Sequence, residues 1–124
     1  MDEKVAGQRG SLLLRGILDA CLLSLVHEHD RYGYELATAL REAGLPLVSD
    51  GTIYPLLSRL EKRGLLASYR VPAAGGPPRR YYRLTAKGEQ ELGRARTVWR
   101  EVAGGLDAVL SRGDGHVPQH ATTR

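Results

Sequence analysis

Thr52, Pro55, Ser58, Arg59 and Lys62 recur at helical spacing. Small, hydroxylated and basic side chains therefore share one helical face, while Ile53, Leu56, Leu57 and Leu60 form an apolar stripe on the other. Hydroxyls and guanidinium groups can hydrogen-bond base edges, and cations neutralise phosphates, so this face suits a DNA groove. By itself the pattern also fits an ordinary amphipathic helix beside a hairpin, and its neighbours must decide. The helix has two possible starts. Ser49 as cap leaves Pro55 beyond the first turn; Thr52 as cap puts Pro55 inside it, where a missing N–H costs nothing.

The flanking sequence supplies a positioning frame. Residues 1–10 read as a flexible N-terminal arm. From Ser11 to about Glu28 the pattern is helical with two adjacent apolar stripes, Leu14, Leu18, Cys21, Leu22 and Leu25 beside Leu13, Ile17, Ala20 and Ser24. Such a helix needs two surfaces to pack on, its own core and a second body. Asp30 is the expected cap of a helix through Tyr34, Leu36, Ala37 and Leu40, which Gly44 ends before an extended Leu45-Pro46 turn. Gly64 stops the DNA-suited helix. Leu65–Val71 and Arg79–Leu84 read as strands, and Pro72–Pro78 as a flexible tip outside the ladder.

Thr85 caps a long last helix in which Leu92, Ala95, Trp99, Val102, Leu106 and Val109 recur at alternating three- and four-residue steps. That seam fits dimerisation, with packing inside the chain as the alternative. The expected fold is mainly α, of the α+β class: a winged helix-turn-helix over 11–84, a dimerisation helix over 85–111 and a disordered tail over 112–124.

Composition narrows the function. Eleven basic residues against three acids lie between Arg59 and Arg100, so this segment carries +8 of a chain whose net charge is +4. A polyanion is the matching partner. Arg79 and Arg80, on a hairpin arm, suit phosphate contact, whereas Arg94, Arg96 and Arg100 read as a solvated helix surface. The apolar run from Leu12 to Val26 is interrupted by Arg15 and Asp19 and is too short for a membrane span, and Met1-Asp2-Glu3-Lys4 does not open a signal peptide. The single cysteine, Cys21, fits a reducing cytoplasm and sits on an apolar stripe as an inert thiol. His27 and His29 do not share a helix face, and His116 and His120 belong to the tail, so neither a metal site nor a cofactor is expected. No catalytic constellation is present, and an enzyme is not expected.

Four blocks carry a family resemblance: Tyr32-Gly33-Tyr34-Glu35-Leu36, Gly51-Thr52-Ile53-Tyr54-Pro55-Leu56-Leu57, Arg59-Leu60-Glu61-Lys62-Arg63-Gly64-Leu65, and Arg79-Arg80-Tyr81-Tyr82-Arg83-Leu84-Thr85-Ala86-Lys87-Gly88. In this order, across about residues 12–110, the chain resembles the PadR family of bacterial transcriptional regulators. The resemblance is to its short members with one C-terminal dimerisation helix, which include multidrug-sensing repressors. It implies a homodimeric repressor on double-stranded DNA. Thr52, Tyr54, Pro55, Ser58 and Arg59 would lie nearest the bases, Lys62 nearest a phosphate, and Arg79 and Arg80 at the flanking backbone or minor groove. Tyr34 and Ser49 complete the implied DNA-contacting set; Tyr82 reads better as a core residue, and Tyr54 is open to either reading. Twofold symmetry implies an inverted-repeat operator.

In the multidrug-sensing members, planar aromatic compounds stack between two symmetry-related tryptophans. The matching positions here are Ala95, Trp99 and Ala103 on the last helix, with Ala20, Leu23 and Ser24 on the first. Ala103 carries no carboxylate, a departure that removes one basis for preferring cationic drugs. Trp99 either stacks on such an effector or fills the interface. The rival readings are a repressor without a small-molecule effector and a winged helix serving as a protein-interaction module. The basic, hydroxyl-bearing face from Thr52 to Lys62 is an odd composition for the latter.

Overall fold

The computed structural model describes the backbone of residues 3–45 and 48–113 and the side chains of residues 15–45, 48–49 and 51–113. The expected turn at Pro46, the tail beyond Gly113 and its histidines lie outside the described residues. In chain order the elements are α1 (Glu3–Glu28), β1 (Arg31–Tyr32), α2 (Gly33–Glu42), α3 (Asp50–Lys62), β2 (Leu66–Ala73), β3 (Gly76–Leu84) and α4 (Ala86–Leu110). Among the described residues, four helices and a three-stranded antiparallel sheet of order β1-β3-β2 make an α+β winged helix with a long last helix. The chain forms two compact units, one to Gly93 and one from Arg94.

The core of the first unit follows from the apolar stripes. Leu18, Leu22 and Val26 of α1, Leu36 and Leu40 of α2, and Ile53, Leu57 and Leu60 of α3 are all buried, together with Leu65, Leu66 and Tyr82. Each fully buried aliphatic side chain contributes about 1.5–3 kcal/mol. Cys21 is half-buried against this core, and burial pushes its thiol up from the ordinary range, so thiolate is scarce at neutral pH.

Several elements begin or end away from the positions the sequence pattern predicts. α1 starts at Glu3, so the segment expected to be a flexible arm is helical from there. Glu3, Lys4, Ala6, Gln8 and Arg9 are good helix formers, and the two glycines among them cost only about 1 kcal/mol each. Asp30 does not cap α2. Arg31 and Tyr32 are held extended by pairing with Tyr82 and Tyr81, which moves the cap to Tyr32, whose backbone N–H donates to Glu35 Oε1 at 3.1 Å. Of the two possible starts for α3, the structure takes Ser49, and Pro55 lies within the helix. The lost hydrogen bond falls between Gly51 and Pro55, both exposed, so water can satisfy the Gly51 carbonyl.

The wing is longer and its turn shorter than expected. The ladder runs from Leu66↔Leu84 to Ala73↔Gly76, leaving Ala74 and Gly75 as the turn. Pro72, Pro77 and Pro78 are accommodated because a bulge interrupts the register between Val71↔Arg79 and Ala73↔Gly76. Rings without an N–H sit where the ladder makes no regular pair.

The start of α4 is fastened to the end of α3. Thr85 Oγ1 accepts the Gly88 N–H at 2.9 Å, the expected cap, and donates to the Gly64 carbonyl at 2.6 Å. Lys87 Nζ donates to the Arg63 carbonyl at 2.9 Å. Leu92, expected in the dimer seam, is instead 2 % exposed and part of the first unit's core. Its place in the second turn of α4 keeps it over its own chain.

Candidate nucleic-acid interface

Burial of Ile53, Leu56, Leu57 and Leu60 fixes which side of α3 faces solvent. Gly51, Tyr54, Pro55, Ser58 and Lys62 are exposed and Thr52 is half-buried, giving a continuous outer row. At the head of the helix, exposed Ser49 places its Oγ 3.3 Å from Thr52 Oγ1. Tyr54 is 47 % exposed and stands on this row, while Tyr82 is 5 % exposed, with its hydroxyl pushed up mainly by burial. The row therefore offers two hydroxyls, a phenol and an ammonium on a rigid helix, a composition suited to base edges and phosphates together.

Arg59 departs from its expected place nearest the bases. Its Nη2 donates to Asp19 of α1, 2.9 Å from Oδ1 and 3.0 Å from Oδ2. The helical wheel puts this residue between the two faces of α3, and its length lets a carboxylate 40 residues earlier decide its direction.

The wing arginines also separate. Adjacent residues of a strand point to opposite faces. Arg79 lies on the face shared by Tyr32, Tyr81 and Tyr69, its guanidinium 4.6 Å from the centre of the Tyr32 ring. Arg80 lies on the other face, its Nη1 3.8 Å from Glu61 Oε1, and that carboxylate also accepts the Ser68 hydroxyl at 2.6 Å. Both arginines nevertheless line one open cleft with Tyr34, Tyr54 and Tyr32, between the wing and the helix row. Tyr34 is 57 % exposed and stacks on Tyr32 with ring centres 6.3 Å apart. The Tyr69 hydroxyl donates to Asp30 at 2.5 Å, and that bond pushes its ionisation up.

Since the two wing cations differ in compensation, their removal should differ too. Arg79→Ala is expected to reduce the salt dependence of DNA binding by about one unit of slope, across all sequences alike. Arg80→Ala should have a smaller effect, because Glu61 already offsets part of its charge. Affinities measured between 50 and 200 mM salt, on the order used for such slopes, check this; a steeper loss for Arg80→Ala would reverse the assignment.

Gly33 is a site residue that composition does not reveal. A Cβ there would collide with the Tyr54 ring, lying 2.9 Å from its Cζ and 3.0 Å from its hydroxyl oxygen. The absence of a side chain at the first residue of α2 lets Tyr54 rest against that helix. Gly33→Ala should gain helix propensity of up to about 1 kcal/mol, because alanine suits a helix better than glycine. It should nevertheless lower affinity for a DNA duplex selected by the wild-type protein by roughly tenfold through the displaced ring, a loss of ~1.4 kcal/mol. Thermal unfolding beside a binding titration separates the two effects; unchanged affinity would show that the Tyr54 position is immaterial. The Gly33 signal was present in the Tyr32-Gly33-Tyr34 block, but its partner 21 residues away was not legible.

The other expected positions divide between the two units. Ala20 and Ser24 are half-buried on α1, whereas Leu23 is 2 % exposed in the core and is a packing residue rather than a free pore wall. Ala95 and Trp99 are half-buried and Ala103 exposed, all on the part of α4 beyond Gly93. Among the described residues no three His, Cys, Asp or Glu side chains cluster as metal ligands, and no helix is long and apolar enough to cross a membrane.

Comparison with known proteins agrees with this geometry. The model of the transcriptional regulator PadR-like family matches residues 22–94, more than half the chain. A PadR-like transcriptional regulator from Bacillus cereus is 36% identical and superposes with a TM-score of 0.72 over 80% of this chain and 96% of its own. A PadR-like transcription factor from Bacteroides fragilis is 37% identical, with a TM-score of 0.71 over 82% of this chain and 98% of its own. The transcriptional regulator Rv3488 of Mycobacterium tuberculosis is 38% identical over 79 residues, 64% of this chain and 62% of that protein. Helix row, wing and fold thus meet in one assignment: the chain belongs to the PadR-like family of transcriptional regulators.

Proposed function

We propose that this regulator works as a homodimeric repressor. Each α3 enters a major groove of an inverted-repeat operator, each wing lies against the flanking backbone, and a planar aromatic effector bound near Trp99 relieves repression. The observation that carries the dimer is on α4. Val98, Val102, Leu106, Val109 and Leu110 are 42–72 % exposed along one arc of the helix, whereas the apolar residues of the first unit's core are buried. An unpartnered apolar row of this length favours burial, and a second copy of the same helix buries it symmetrically. Half-buried Ile17, Ala20 and Ser24 on α1 agree with the second surface expected for that helix. Val98 and Leu110 enlarge the seam beyond the heptad positions predicted from sequence.

Support for the effector is the half-buried Trp99 with the small residues Ala95 and Ala103 one turn to either side, which leave room beside a flat ring. Because Trp99 is the only tryptophan, its fluorescence reports this place alone. Sedimentation at micromolar concentration should give twice the mass of one chain. Titration with planar aromatic compounds should quench Trp99 saturably and release a selected DNA duplex. A monomer in sedimentation overturns the dimer, and a flat fluorescence response overturns the effector and leaves a repressor that needs none.

A further inference from the structure

We propose that Asp19 sets the base preference of the recognition helix by holding Arg59 away from the bases. The inference rests on the reading of α3 as the helix that enters the groove. Arg59 is one residue around the helix from exposed Ser58 and one turn beyond exposed Pro55. From that flank an arginine side chain can turn outward to a base edge or inward to α1. The structure shows it turned inward, with both oxygens of Asp19 within 3.0 Å of one guanidinium nitrogen. Asp19 is well shielded, with 19 % of its side chain exposed, against 31 % for Arg59. Arg63, the residue that caps the end of α3, approaches the same carboxylate at 3.9 Å.

One carboxylate on α1 thus takes the inner flank of α3 and keeps the residue best able to demand a guanine from doing so. Arginine grips guanine O6 and N7 through two parallel hydrogen bonds, the commonest specific base contact in the major groove. Held through Nη2 against a shielded carboxylate on α1, the guanidinium is turned inward, and its other N–H groups reach a base only if the side chain turns back. Bases opposite this part of the helix are then left to the neutral side chains of Ser58, Pro55 and Tyr54. Asp19 acts as a positioning residue and touches no DNA itself.

In vitro selection from random duplexes tests this with four proteins: wild type, Asp19→Asn, Arg59→Gln and the double variant. Asn keeps the size of Asp but gives up the charge that holds the guanidinium. Asp19→Asn should gain a guanine at one position of each half-site, favoured about tenfold or more over the other bases. The double variant should lose that guanine, and Arg59→Gln alone should select the wild-type sequence. A merely structural ion pair would change stability without changing the selected base. If Asp19→Asn selects the wild-type sequence, or if Arg59→Gln alone shifts it, the proposal falls. Arg59→Gln decides the second point even where Asp19→Asn folds poorly. Ser58→Ala and Tyr54→Ala serve as controls: a selected sequence indifferent to both would instead show that α3 is not the reading helix.

Discussion

Replacing Val102 and Leu106 together by glutamate is expected to convert the protein to a monomer and to weaken operator binding by about 100-fold or more. Both side chains are exposed in the single chain, at 42 % and 49 %, so the substitution removes nothing from the core of the first unit. In the dimer the four carboxylates would face one another across a buried apolar seam, where unpaired charge costs several kcal/mol. The loss in DNA affinity follows from geometry. Joined in the proposed dimer, the second α3 would meet its half-site at an effective concentration near millimolar, and a monomer would forfeit that advantage. Sedimentation and a binding titration on a palindromic duplex check both parts, and the thermal unfolding of the first unit should hardly change. A dimer that survives both glutamates would move the interface off this arc of α4.

The second large effect concerns Gly88. In the first turn of α4 its Cα lies directly against the Leu65 backbone. An added Cβ would collide with the Leu65 carbonyl oxygen, approach the Leu65 carbonyl carbon at 3.1 Å, and meet Leu84 Cδ1 at 2.7 Å. Leu65 also accepts the Thr85 N–H, and Gly88 itself donates to the Thr85 hydroxyl, so neither backbone can retreat without opening the helix cap. Overpacking against a movable side chain costs about 1–3 kcal/mol, and a backbone neighbour puts Gly88→Ala at the upper end or beyond. For a unit of this size the midpoint of thermal unfolding should fall by roughly 10–20 °C. Gly93→Ala, one turn and a half along the same helix, is the control. Among the described residues, nothing beyond its own stretch of helix lies within 4 Å of its added Cβ, so stability should hold or rise by up to about 1 kcal/mol. Equal midpoints for the two variants would refute the close packing at Gly88.

The parts of the fold legible in the sequence are those written in local periodicity. The apolar stripe of α3 identified its buried face without a structure, and the caps at Thr85 and the stop at Gly64 are local chemistry. What could not be read depends on distant partners. β1 is two residues long and exists only because Arg31 and Tyr32 find β3 some fifty residues later. In sequence the prolines of the wing read as a break in the ladder, because a bulge is a property of two paired strands and not of either one. Arg59 lies near the boundary of the two helical faces, and the residue that decides its direction is on another helix. Leu92 fits its predicted seam by spacing, yet the depth of the core claims it, as it claims Leu23, which the family resemblance places at the effector pore.

The three wing prolines have a consequence for how copies of the protein share space. Among the described residues, β2 is one open edge of the sheet, and β3 is open on its other side from Gly76 to Arg80, where β1 no longer reaches. An open strand edge invites a second molecule to add its own strand, and proteins gathered on neighbouring DNA sites meet often. Pro72 on one edge and Pro77 and Pro78 on the other present no N–H to such a strand, and the bulge bends the ladder where they sit. Half of the chain's six prolines thus stand guard over a hairpin that must stay extended and exposed without becoming a template for aggregation.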